Sequence, residues 1–229
     1  MIRPSAFARD TRAATAAEFA LILPIAILFL LGLIDVGRYA WAFNQAEKAT
    51  QVGARWAAAT EYVPGILNSY SFATNGVTSG GTTSGIVAQG DVVPKASFPG
   101  IRCEIATTGS GNNQSQSLAC TCLGSSNASG FCSDTQPNTA AFQALVGRMN
   151  EIHGRIGLND VRIDYDWSGL GYSGDPNGSD VAPIITVSLK QPQRFPMWFL
   201  LGRTVPFPDA HYTITGEDGQ GTCANTGGC

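Results

Sequence analysis

Charge is what this 229-residue chain has least of: Asp, Glu, Lys and Arg make up 14% of it, against roughly 25% in an ordinary soluble domain. Its 14 Lys and Arg are outnumbered by 17 acids, for a net charge of −3. Nucleic-acid binding normally needs a basic face, so no nucleic-acid partner is expected. Cysteine is missing from the first hundred residues, although the chain has 6. These figures exclude a coiled coil, a disordered acidic protein and a polytopic transporter. The 27 Gly and 12 Pro point to turns and irregular structure.

What is present is unevenly distributed. From Ala13 to Ile34 the chain reads AATAAEFALILPIAILFLLGLI, 22 residues with a single charge, Glu18. About 20 apolar residues at 1.5 Å rise each are enough to cross a bilayer core. Arg3, Arg9 and Arg12 precede the run, so its start is expected in the cytoplasm and the rest of the chain outside. A secretory signal peptide has a shorter apolar region and ends at small residues. Here the run is longer, and Gly32-Leu-Ile-Asp-Val-Gly37-Arg38 offers no such step. Helix formers continue beyond it, with Ala40, Ala46, Ala49, Ala54, Ala57, Ala58 and Ala59 supplying small surfaces. One helix is predicted from about Thr15 to about Thr60, kinked by Pro24 and ended near Pro64-Gly65.

Glu18 is the informative residue of the run. A carboxylate within an apolar span costs a few kcal/mol, and it is retained where a partner neutralises it or where it reaches the interface. The stretch from Arg12 to Pro24, the apolar run, and the exit Asp35-Val-Gly37-Arg38 together resemble the amino-terminal region of the TadE-like family. Members of that family are pseudopilins or minor pilins of the tight-adherence (Flp, type IV-like) pilus. The resemblance covers residues 12 to 38. It implies cutting by a prepilin peptidase between Ala13 and Ala14, which leaves Glu18 fifth in the mature chain. The family usually has Gly where this chain has Ala13. The resemblance further implies that Glu18 pairs with the terminal amine of a neighbouring subunit, which offsets its burial and sets the axial register of otherwise slippery helices.

From residue 61 onward 13 acids face 8 Lys and Arg, a balance of −5. Bulk attraction to anionic lipid or DNA is therefore not expected there. Residues 68 to 90, rich in Ser, Thr, Gly and Asn, read as an irregular connector. Period-two alternation marks four strands: Ile101, Cys103 and Ile105; Val161, Ile163 and Tyr165; Ile185, Val187 and Leu189; Tyr212 and Ile214. One amphipathic helix is predicted from Thr139 to Ile156, with Phe142, Leu145, Val146, Met149, Ile152 and Ile156 on one face. Asn138 or Thr139 caps it and Gly157 ends it. The predicted fold class is α+β: a long pilin-like transmembrane helix followed by a small head with a short, mainly antiparallel sheet.

Cys103, Cys120, Cys122, Cys132, Cys223 and Cys229 all fall on the exported side, where an even count reads as disulfides. Cys120 and Cys122 are too close to pair with each other. Cys223 and Cys229 either close the terminal loop or staple it to the 103–132 segment. Zinc favours C-x₂₋₄-C spacing, whereas the close pair here is C-x-C and the two His are remote. No cofactor or metal is expected. Gly169-Leu-Gly171-Tyr-Ser-Gly174 has dinucleotide-site spacing, but a turn sequence follows it where a helix is needed. Asp160, Asp164, Asp166, Asp175 and Asp180 could supply oxygen ligands to Ca²⁺, yet their order is not that of an EF-hand. His153 and His211 lie in no recognisable catalytic signature. The cluster Phe195-Pro-Met-Trp-Phe-Leu-Leu201 is too short to span a bilayer. It packs into the head or onto the long helix, or it faces a neighbouring subunit or the outer leaflet.

The expectations are therefore a cytoplasmic leader at 1–13, a long helix at 14–60 and an exported head at 61–229. The chain is read as a single-pass protein of the inner membrane with a periplasmic or extracellular head, and not as an enzyme. Its expected partners are other pilin or pseudopilin subunits, the pilus assembly platform and the prepilin peptidase. The competing class is an exported binding module, such as an adhesin or sensor head, on an uncleaved anchor. An anchored hydrolase is a third class, carried only by unplaced Ser, His and Asp residues.

Overall fold

A computed structural model describes residues 11–75, 77–79, 82–84, 86–109, 114–124, 131–132, 134–176, 178–190, 194–199 and 202–216. In chain order its elements begin with α1 (Thr11–Ala59), α2 (Ile66–Ser69), β1 (Val77–Ser79), β2 (Thr82–Ser84), β3 (Ile101–Thr108) and β4 (Ser115–Cys122). They continue with α3 (Thr139–Ile152), β5 (Val161–Asp166), β6 (Ile184–Leu189), β7 (Arg194–Met197), β8 (Arg203–Pro206) and β9 (His211–Thr215). The chain divides into two compact units, Met1–Asn44 with Gln193–Phe207, and Gln45–Pro192 with Pro208–Cys229.

The larger unit is an α+β head. Its sheet runs β4-β3-β5-β6-β9 with every neighbour antiparallel. The alternations mark the buried face: Ile101, Cys103, Val161, Ile163, Tyr165, Ile185 and Val187 are all fully buried. Helix α3 joins the same core through Phe142, Leu145 and Met149, and α1 joins it through Ala46, Ala49, Ala54 and Ala57. Small residues let α1 lie close. A Cβ on Gly53 would come within 2.8 Å of the Met149 side chain and 3.5 Å of Val187.

Two disulfides staple this head. Cys103–Cys120 joins residues directly opposite in β3 and β4, with Cα atoms 4.0 Å apart. Cys122–Cys132 ties the end of β4 to the segment before α3, with Cα atoms 6.0 Å apart. Cys223 and Cys229 lie outside the described residues.

Some boundaries differ from expectation for local reasons. Helix α1 starts at Thr11, ahead of the expected Thr15, and ends at Ala59 beside the expected Thr60, where the Thr60 hydroxyl donates back to the Trp56 carbonyl at 2.8 Å. Beyond it, Pro64 bridges to Pro137 and the Gly65 amide donates to the Gln136 carbonyl at 2.9 Å. Helix α3 begins as predicted, with the Asn138 side chain accepting from the Ala141 amide at 3.0 Å. It stops at Ile152 rather than near Gly157, because His153 turns to extended backbone. The Asn150 amide then donates to the Ile156 carbonyl at 2.8 Å, and Ile156 stays buried without helix.

The 68–90 stretch is more ordered than a connector. It contains the β1–β2 hairpin, and it buries Phe72 in an aromatic cluster with Tyr70, Phe98 and Phe131. Asp180 holds the Phe72 amide at 2.6 Å. The Tyr165 hydroxyl, fully buried, accepts from the Val63 amide at 3.1 Å, and burial raises its pKa.

The smaller unit pairs the first part of α1 with the β7–β8 hairpin. Phe195 and Met197 of β7, with Phe207, form a second cluster around Ala42, flanked by Tyr39, Phe43 and Val205. The Tyr39 ring lies 5.1 Å from that of Phe207 and 6.2 Å from that of Phe195. Its hydroxyl donates to the Pro206 carbonyl at 3.1 Å.

Candidate anchoring and assembly site

The apolar run forms a continuous helix with Pro24 inside it. An amphipathic helix covers its apolar stripe with protein, whereas one that is apolar all round needs an apolar surrounding. Residues 16–30 are exposed without interruption, among them Phe19, Leu21, Ile22, Ile25, Leu28 and Phe29. An 18-residue window here reaches a mean hydropathy of 2.7. The helix is thus a membrane-anchoring segment by length, composition and the absence of protein cover among the described residues.

Ala13 and Ala14 lie in the first turns of α1, and Glu18 follows one turn later with its side chain exposed. Among the described residues no donor reaches the Glu18 carboxylate. Roughly 26 Å further along, at 1.5 Å per residue, the run ends at a second carboxylate with the opposite surroundings. Asp35 is fully buried and accepts a hydrogen bond from the Phe199 amide at 2.7 Å. Arg38, one turn on, brings a guanidinium nitrogen within 4.0 Å of Asp35 and lies over the Phe195 ring, 5.3 Å from its centroid.

The Asp-x-Gly-Arg exit thereby acquires a structural task. It fastens the β7–β8 hairpin to the helix at the end of the apolar run. In the sequence these residues mark only the exit of the run. The available signal was a carboxylate placed directly after the last apolar residue, where an unpaired charge is unfavourable.

Part of the cluster Phe195–Leu201 packs onto the long helix, as one of its expected placements had it. Phe195 and Met197 pack against the helix, whereas Trp198 and Phe199 in the hairpin tip stay exposed at 67% and 49%. Leu200 and Leu201 lie outside the described residues.

Elsewhere the candidate motifs take up structural work. Gly169, Gly171 and Gly174 all have positive φ, and a Cβ on Gly171 would sit 2.7 Å from the Asp180 carbonyl. They shape a loop. Of the carboxylates weighed for calcium, Asp164 is held by Arg102 at 2.7 and 3.2 Å and by Arg162 at 3.5 Å. That bond raises the Arg102 pKa, while burial and the neighbouring Asp164 raise that of Asp166. Asp180 accepts from the Phe72 and Asp175 amides, and Asp160 from the Gly157 amide. Among the described residues no three His, Cys, Asp or Glu converge as a metal site. His153 is buried at the end of α3, where desolvation and then Arg155 lower its pKa. His211 opens β9 and lines an open cleft of about 280 Å³ with Arg162, Ser188, Lys190 and Asp209.

An exposed apolar helix continued into a disulfide-stapled α+β head defines a membrane-anchored protein of helix-plus-head build. Residues 13–55 match the family described as TadE-like protein, a match that takes in the motif and runs beyond its exit. No curated protein and no solved structure matches the chain.

Proposed function

We propose that this protein is a pseudopilin or minor pilin subunit of a tight-adherence pilus, acting in its assembly or in surface adhesion. The TadE-like match across the exposed apolar helix carries the reading. The helix anchors the precursor in the inner membrane with the head on the periplasmic or extracellular side. A prepilin peptidase cuts between Ala13 and Ala14, and Glu18 becomes the fifth mature residue. The exposed position of Glu18 supports an assembly role, because a carboxylate without protein cover stays accessible to the amine of a neighbouring subunit. Once buried among neighbours, that pair offsets the desolvation of both charges and selects one axial register. The head and the assembly platform are the remaining contacts, and no reaction is assigned to the protein.

Mass spectrometry of the mature amino terminus tests this directly. A terminus at Ala14 is expected, while an intact Met1 in assembled material rules out processing and favours an exported binding module on a permanent anchor. Replacing Glu18 by Ala should leave membrane insertion unchanged and abolish co-purification with partner subunits. Normal co-purification would remove Glu18 from assembly.

A further inference from the structure

The β7–β8 hairpin does two things at once. Its inward residues, Phe195 and Met197, pack around Ala42, and the Asp35 carboxylate clamps its tip through the Phe199 amide at 2.7 Å. This clamp fixes the tip at the level where the apolar run stops, because Ile34 is the last residue of that run and Asp35 follows it. About 20 residues before that point already fill the roughly 30 Å of a bilayer core. Asp35, and with it the backbone of Phe199, therefore lies at the membrane boundary.

At that level the hairpin exposes Trp198 and Phe199, and the helix exposes Leu33, Ile34 and Val36, the sequence neighbours of Asp35. Exposed Arg203 pairs with Met197 next to the tip, and exposed Arg38 lies one turn beyond Asp35, so arginine borders the tip. Tryptophan favours the headgroup region, where its ring is buried and its N–H stays wet, and arginine reaches from there to phosphate. An exposed aromatic tip with a basic rim, held at the end of a spanning helix, is matched by a lipid surface.

We infer that the β7–β8 tip is a second membrane contact, seated in the outer leaflet beside the anchor and inserted through Trp198 and Phe199. This rests on the anchored reading above. The occupant is lipid because the Asp35–Phe199 bond holds this exposed aromatic tip at the end of the bilayer-spanning run. The hairpin thus fixes how far the helix is drawn out of the membrane, since moving it outward would strip Trp198 and Phe199 of their surroundings.

The test uses the full chain in phosphatidylethanolamine–phosphatidylglycerol vesicles containing lipids brominated either near the headgroup or near the chain end. The Trp198 signal is the difference between the native protein and Trp198→Phe. Most of that emission should be lost with shallow bromines and less with deep ones. A Phe29→Trp variant, quenched chiefly by deep bromines, reports the anchor independently. If Phe29→Trp is quenched and Trp198 is not, the hairpin contact is wrong and the anchor stands. If neither is quenched, the anchored reading fails as well. A Trp198 signal that resists both lipids but changes with the protein-to-lipid ratio identifies a second copy as the occupant and overturns the proposal.

Discussion

Replacing Asp35 by Ala is the most informative perturbation of the helix–hairpin clamp. The native carboxylate is fully buried and accepts from the Phe199 amide at 2.7 Å. A hydrogen bond to a charged acceptor contributes about 1.5–3 kcal/mol, and a neutral one about 0.5–1.5. With RT near 0.6 kcal/mol, losing the charged bond should speed opening of the tip roughly ten- to a hundredfold. Global stability is a poor readout here. Removing Asp35 also removes the desolvation cost of a buried carboxylate, and the two effects oppose each other. Hydrogen exchange at the Phe199 amide, measured on the full chain in lipid nanodiscs, reads the bond alone. The expected order of protection is native, then Asp35→Asn, which keeps a neutral acceptor, then Asp35→Ala. Equal protection in native and Asp35→Ala protein would refute the clamp and remove the basis for placing the hairpin tip at the membrane boundary.

Two further outcomes follow from the head. Reducing Cys103–Cys120 and Cys122–Cys132, with sequence separations of 17 and 10, should destabilise it by about 3 kcal/mol per bridge on a chain-entropy basis. Denaturant titration with and without reductant checks this, and an unchanged midpoint contradicts it. Burial and Arg155 lower the pKa of His153, so the folded state favours the neutral ring. Below about pH 6.5 the unfolded chain binds the proton more readily than the folded one, and stability falls as pH falls. Thermal melts between about pH 7 and 5 should show this slope, and His153→Gln should flatten it. Identical slopes in both proteins would exclude His153 as the source.

The parts of the fold legible from sequence are those whose burial is periodic. Val161, Ile163 and Tyr165 alternate because one face of β5 is core, and Phe142, Leu145 and Met149 recur at helical spacing for the same reason. β4 lacked such a signal. It is an edge strand with a largely exposed pattern, and its place is secured by Cys120 pairing with Cys103 rather than by apolar alternation. The β7–β8 hairpin was hidden because two of its apolar residues face inward and two stay exposed, which erases periodicity. Glu18 stood out as a lone charge in an apolar run. Asp35 did not, since its partner Phe199 is 164 residues away and no local pattern links them.

The disulfide map has a consequence for how the chain is made. On the proposed topology, the residues nearest the anchor leave the cytoplasm first, so the cysteines emerge in numerical order. Cys103 meets Cys120 before Cys122 is available, and Cys122 then meets Cys132. Neither bridge encloses the other, and each closes a short loop, where search is fast. Oxidation in order of appearance therefore yields these two native bridges directly. An oxidase that merely acts promptly on emerging thiols is enough for them, without a separate reshuffling step.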